Sequence, residues 1–288
     1  MSRVLAACLI LQLAAPAHAL VVCADPNNLP FSNQAQQGFE NKLVTLLARD
    51  LNSDVRYVWW AQRRGFARHT LAPQGCDLWP GVARGTGGVK SSNPYYRSSY
   101  VFVTRRASAL GHLSLDDPRL RTLTIAVQLV GYDAMNTPPA QALAARGITD
   151  NVRGFPVFGD YSRPNPPAAI IDAVASGAVD VALVWGPLAG YFAARAAAPL
   201  SLEPVEGGDQ WPMAYDISLG VRPDEDDLRQ RLDAALAREQ PQIEALLEQY
   251  GIPHQPPQGP PPLPVRRPAP AAPPEAATSA LPTAGRGL

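Results

Sequence analysis

Gly177-Ala178-Val179-Asp180-Val181-Ala182-Leu183-Val184-Trp185 decides the fold. The glycine closes a helix, and Val179-Asp180-Val181-Ala182-Leu183-Val184-Trp185 reads as a buried strand, as in a parallel sheet covered by helices. Upstream, Thr124-Ile125-Ala126-Val127-Gln128 reads as a strand, Thr137 to Ala145 as a helix with Pro138 and Pro139 in its first turn, Asn151 to Phe155 as a weaker strand, and Asn165-Pro166-Pro167 as the opening of a helix that ends at Ser176. The same order stands earlier in the chain. Leu20 to Cys23 is an apolar strand, Asp25-Pro26-Asn27-Asn28-Leu29-Pro30 a loop of turn formers, and Glu40 to about Asn52 a helix with Leu43, Val44, Leu46, Leu47 and Leu51 on one face. Val55 to Trp60 is a strand, Arg63 to about Leu71 a short basic helix, and Gly75-Cys76-Asp77 leads into a strand ending near Val82. Two such alternations predict two α/β lobes. Strands at Leu202–Val205 and Ala214–Val221 and helices at Asp224–Leu236 and Gln240–Tyr250 complete the pattern.

The ends read differently. Met1-Ser2-Arg3, the apolar run Val4 to Ala15 and Ala17-His18-Ala19 make a signal peptide over residues 1–19, with cleavage expected after Ala19 and an exported, periplasmic product. No later stretch reaches the length of a bilayer span, so membrane insertion is not expected. Of 31 prolines, twelve fall between Pro253 and Pro282, so residues 253–288 read as a Pro-rich disordered tail. Cys8 belongs to the leader, leaving Cys23 and Cys76, which in an oxidising compartment are a disulfide or two buried thiols. With 25 basic against 25 acidic residues, nucleic acid is an unlikely partner by charge alone.

Gly38-Phe39-Glu40, Gly75-Cys76-Asp77, Asn93-Pro94-Tyr95-Tyr96 and Gly177-Ala178-Val179-Asp180, in this order and spacing, resemble the type II periplasmic solute-binding proteins. Longer runs are similar to the subgroup encoded with pyrroloquinoline-quinone (PQQ) methanol dehydrogenases, the MoxJ/XoxJ type: Val22 to Ser32, Trp59 to Phe66, Pro94 to Val103, Asn136 to Ala140 and Val184 to Tyr191. The resemblance implies a two-lobe type II fold, with residues 20–106 and 207–252 as a discontinuous lobe one and 107–206 as lobe two. It also implies a non-catalytic periplasmic helper of a methanol dehydrogenase, monomeric by the habit of the fold. The other reading is the solute receptor of an ABC importer.

In amino-acid-binding relatives an arginine about seven residues beyond the third strand's glycine grips the ligand carboxylate through a bidentate pair. Here the count from Gly81 falls on Gly88, so ordinary amino-acid capture is disfavoured. The cleft loops offer ring faces and amides instead: Asn27, Asn28, Phe31, Trp60, Trp79, Gln128, Tyr132, Trp185 and Trp211 are the candidate binding residues. Arg63 and Arg64 join them, because cations at a helix start call for an anion or a partner carboxylate. The mature chain has three histidines and neither H-E-x-x-H nor G-x-S-x-G, so no catalytic residue, metal ligand or cofactor is expected.

Overall fold

The computed structural model describes residues 19–62, 66, 70–71, 75–130, 136–157, 161–207 and 210–258. Strand β1 (Leu20–Ala24) is buried at every position because it lies between two parallel neighbours, β4 (Val55–Trp59) and β5 (Leu78–Ala83). Between β1 and β4 run a small hairpin, β2 (Asn27–Asn28) with β3 (Ser32–Asn33), and helix α1 (Phe39–Asp50). The leucines expected on one face of that helix lie there: Leu43 and Leu47 join Phe39 and Val44 in the core, packed on Leu78 and Leu219. β12 (Ala214–Val221) runs antiparallel beside β5, and β6 (Lys90–Ser91) adds a short pairing to it.

β7 (Tyr96–Arg105) joins the two lobes. Its Tyr96–Ser99 half pairs with β12, and its Tyr100–Thr104 half pairs antiparallel with β10 (Val181–Trp185), the strand that opens the sequence analysis. β8 (Ile125–Leu129) and β9 (Val152–Pro156) continue from β10 in parallel, and β11 (Leu200–Pro204) pairs with β7. Among the described residues the sheet order is β4-β1-β5-β12-β7-β10-β8-β9. The second lobe has a core on each face of this sheet, as period-two alternation demands. Val101, Val103, Ala126 and Val184 enter one, with Ile170 and Leu188; Phe102, Ile125, Val127 and Leu183 enter the other, with Leu120 and Leu143. Helices α2 (Pro138–Ala145), α3 (Ala169–Ala175) and α4 (Gly186–Ala193) cover these faces. This is a two-lobe α/β fold.

Two expectations are corrected. The helices at Asp224–Leu236 and Gln240–Tyr250 form one helix, α5 (Asp226–Gln249), that runs through Pro241. Proline removes one backbone bond, but Leu232, Leu236, Ile243 and Leu247 keep a single apolar stripe on both sides of it, and that burial outweighs the loss. The chain also stays fastened beyond Pro253. Ser98 Oγ donates to the Pro253 carbonyl, and the Arg97 and Gln255 backbones exchange two hydrogen bonds of 2.9 Å, because Arg97 on β7 offers an N–H and a C=O to the strand's free side. Residues 1–18 of the expected signal peptide and 259–288 of the expected tail lie outside the described residues.

Cys23 and Cys76 form a disulfide. Both are fully buried in a small cluster with Val21, Phe66, Val58 and Trp79, where parallel pairing of β1 with β5 brings them together.

Candidate functional site

Trp185 ends β10 at the carboxyl edge of the sheet, where open α/β sheets place their ligands. Its backbone N–H donates to Gln128 Oε1 (3.1 Å), whose residue sits near the same edge of β8. The indole is half-buried, edge-on to Tyr100 of β7 (centroids 5.3 Å apart) and to Tyr215 of β12 (6.1 Å), and it also packs on the first lobe's core. Trp185 therefore touches both lobes. Burial pushes both tyrosine hydroxyls upward in pKa, so these rings stay neutral and apolar in character. Trp211 packs, partly exposed, on the same core of the second lobe as Tyr100.

The other candidates divide. Asn27, Asn28 and Phe31 lie in the hairpin loop after β1. Phe31 packs against the cores of both lobes, Asn27 bonds across to the second lobe, and Asn28 Nδ2 donates to Gln62 Oε1 (3.1 Å). Trp60 is 48% exposed just past β4, its N–H held by the Ala24 carbonyl. Trp79 stands apart: it is the second residue of β5, at the edge opposite to the carboxyl ends of the strands, and its ring packs on Phe66 (4.9 Å) over the disulfide. Arg63, Arg64 and Tyr132 lie outside the described residues. As for an arginine clamp, Arg84 is exposed, with its N–H on the Asp216 carbonyl, and Lys90 pairs with Asp226 on the surface. A recess of about 250 Å³ opens on the second lobe, walled by Phe155, Pro156, Pro166 and Ile170, with Gln128 and Arg163 as its polar edge.

Glu40 is a feature that sequence patterning did not single out. It lies in the first turn of α1, only 8% exposed, beside Asp25, Tyr57, Tyr95 and Tyr96. Burial first, and the nearby Asp25 charge second, push its carboxyl up to about 8. A side chain at position 81 is not tolerated next to it. Gly81 has φ +74°, and a Cβ there would lie 2.1 Å from Glu40 Oε1. An acid in a helix's first turn ordinarily reads as a partner of the macrodipole, which hides a buried one. Around it the buried Tyr57 hydroxyl faces the Asn41 side chain and the buried Tyr95 hydroxyl faces the Gly81 backbone. Among the described residues no three His, Cys, Asp or Glu side chains stand together as a metal set, and no helix is long and apolar enough to cross a membrane. The arrangement can hold ring faces and amide groups against a bound surface.

No protein-family model matches the chain. Among curated proteins it is 30% identical to Protein MoxJ of Methylorubrum extorquens, over 81% of this chain and 81% of that protein, and 27% identical to Protein MoxJ of Paracoccus denitrificans, over 84% and 93%. Among solved structures it is similar to the periplasmic binding protein XoxJ of Methylobacterium extorquens AM1: 33% identical, covering 82% of this chain and 99% of that one, with a TM-score of 0.68. Length, order of elements and identity agree over nearly the whole of each relative, so the chain belongs to the MoxJ-type periplasmic binding proteins.

Proposed function

We propose that this protein is a non-catalytic periplasmic accessory of a PQQ-dependent methanol dehydrogenase, which it assists by docking, activation or maturation. One lobe carries Glu40, the other carries Gln128, and the enzyme meets the aromatic, amide-edged cleft between them. Asn27, Asn28, Phe31, Trp60, Gln128, Trp185 and Trp211, with Arg63, Arg64 and Tyr132, supply the contacts. The observation that carries the reading is Trp185, half-buried at a strand end and ringed by tyrosines, with Gly88 standing where an amino-acid receptor needs its guanidinium. A desolvated ligand carboxylate without that partner costs several kcal/mol, so the cleft suits rings and amides over an amino acid. Membership of the MoxJ type supports the link to methanol oxidation. Removal of this chain from its native host is expected to lower periplasmic methanol-dehydrogenase activity, and re-expression of the native chain to restore it. Undiminished activity without it would refute the proposal.

The recess beside Gln128 and Arg163 favours a second reading, a receptor that delivers a small solute to an importer. A metabolite that raises the melting temperature of the purified chain, while the dehydrogenase binds neither lobe, would favour that reading.

A further inference from the structure

Two-lobe binding proteins ordinarily open and close by a hinge, and the ligand supplies the groups that hold the lobes together. In this chain the loop of residues 25–33 supplies them. Its root is fixed to the first lobe. The Phe39 and Glu40 N–H groups, two of the orphan donors of α1's first turn, bond the carbonyls of Pro30 (2.8 Å) and Phe31 (3.0 Å). Gly38 permits this approach, since a Cβ there would lie 2.0 Å from the Phe31 carbonyl oxygen. Inside the loop Ser32 Oγ accepts from the Asp25 N–H (3.1 Å) and donates to the Asp25 carbonyl (2.8 Å), which fixes the hairpin's shape.

The tip belongs to the second lobe. Asn27 Nδ2 donates to the Arg163 carbonyl (2.9 Å), and Asn27 Oδ1 accepts from the Asn165 N–H (3.2 Å), so one amide side chain is used at both ends. Tyr161 OH donates to Asp25 Oδ2, whose carboxylate also accepts from the N–H groups of Asn27 (2.8 Å) and Gln62 (2.6 Å). Leu29 is buried to 7% exposure in the second lobe's core with Val101, Ile170 and Leu188, although its neighbours in sequence are anchored in the first lobe.

We infer that the 25–33 loop is a built-in strap which holds the two lobes closed in the absence of any ligand. It replaces the bridging that a bound solute provides elsewhere, so closure is a resting property of the chain and a partner meets a preformed surface. The inference is independent of which partner that is. A separate contact, Tyr191 of α4 stacked on Tyr250 at the end of α5 (5.9 Å, 19°), does not involve the strap, and the strap variants leave its residues unchanged.

The test measures the distance between spin labels on Lys42→Cys, exposed on α1, and Thr149→Cys, exposed in the second lobe; the bridged Cys23 and Cys76 take no label. The ligand-free native chain is expected to give one narrow distribution. Asn27→Ala with Tyr161→Phe is expected to add a longer-distance population, with at least a tenfold fall in the ratio of closed to open molecules. Asn27→Asp keeps the side chain's size, removes the donation to the Arg163 carbonyl and sets a carboxylate oxygen against it, and it is expected to shift the same ratio in the same direction should the double variant lose its native circular dichroism. A native chain already split between two distances would overturn the inference, as would strap variants whose distribution matches the native one.

Discussion

Replacing Cys23 and Cys76 together by alanine is expected to lower the unfolding free energy by about 4 kcal/mol, the chain-entropy value for a closed loop of this size. The bridge spans 53 residues of sequence, and both sulfurs are buried. It ties β1 to the turn that leads into β5, and the strap's root begins two residues after Cys23. Urea unfolding of the native and double-alanine chains at neutral pH measures it. A loss under 1 kcal/mol would mean that the small cluster of Val21, Phe66 and Trp79 holds β1 to β5 without help from the bond.

The pH dependence of stability is expected to be dominated, in one window, by Glu40. Its carboxyl has a folded pKa pushed up to about 8, against an ordinary value of 4.5. Between those values the folded chain holds a proton that the unfolded chain has released, so folding is favoured by acid. The contribution is fully present below about 4.5, declines as pH rises, and is gone above about 8. One pKa unit corresponds to about 1.4 kcal/mol, so the decline amounts to a few kcal/mol. Glu40→Gln keeps the size and the neutral character of the side chain. The variant is expected to be more stable than native at pH 8.5 by on the order of 2–4 kcal/mol, and nearly equal to it at pH 4.5. Carboxylates with lowered pKa, such as Asp50 and Asp226, act in both chains alike and cancel in the difference. Equal native-minus-variant differences at both pH values would show that the Glu40 carboxyl titrates alike in the folded and unfolded chains.

The regular elements were readable because their residues obey one period at a time. The apolar run of β10 and the leucine stripe of α1 each had a single solution, and the structure realises both. α5 reads in sequence as two helices with a break between Leu236 and Gln240, because the continuous stripe that joins them depends on tertiary packing. The cleft was readable in part. Trp185 and Gln128 come together because both stand at strand ends, a position that sequence order fixes. Trp79 stands at the start of β5, the opposite edge of the sheet, and packs on Phe66 away from the cleft. Tyr161 and Asn165, which receive the strap, have no periodic signal. They lie far from Asp25 and Asn27 in the chain, and only closure of the lobes makes them partners. Glu40 escaped for the same kind of reason, because burial is a property of the assembled lobe.

Calorimetric titration of purified methanol dehydrogenase into the native chain and into Trp185→Ala and Trp185→Phe tests the central claim most directly, with melting curves recorded alongside. Saturable binding to the native chain is predicted, weakened at least tenfold in Trp185→Ala and less in Trp185→Phe, which retains a ring against Tyr100 and Tyr215. Equal affinity for all three folded chains, or no binding to the native one, would contradict it.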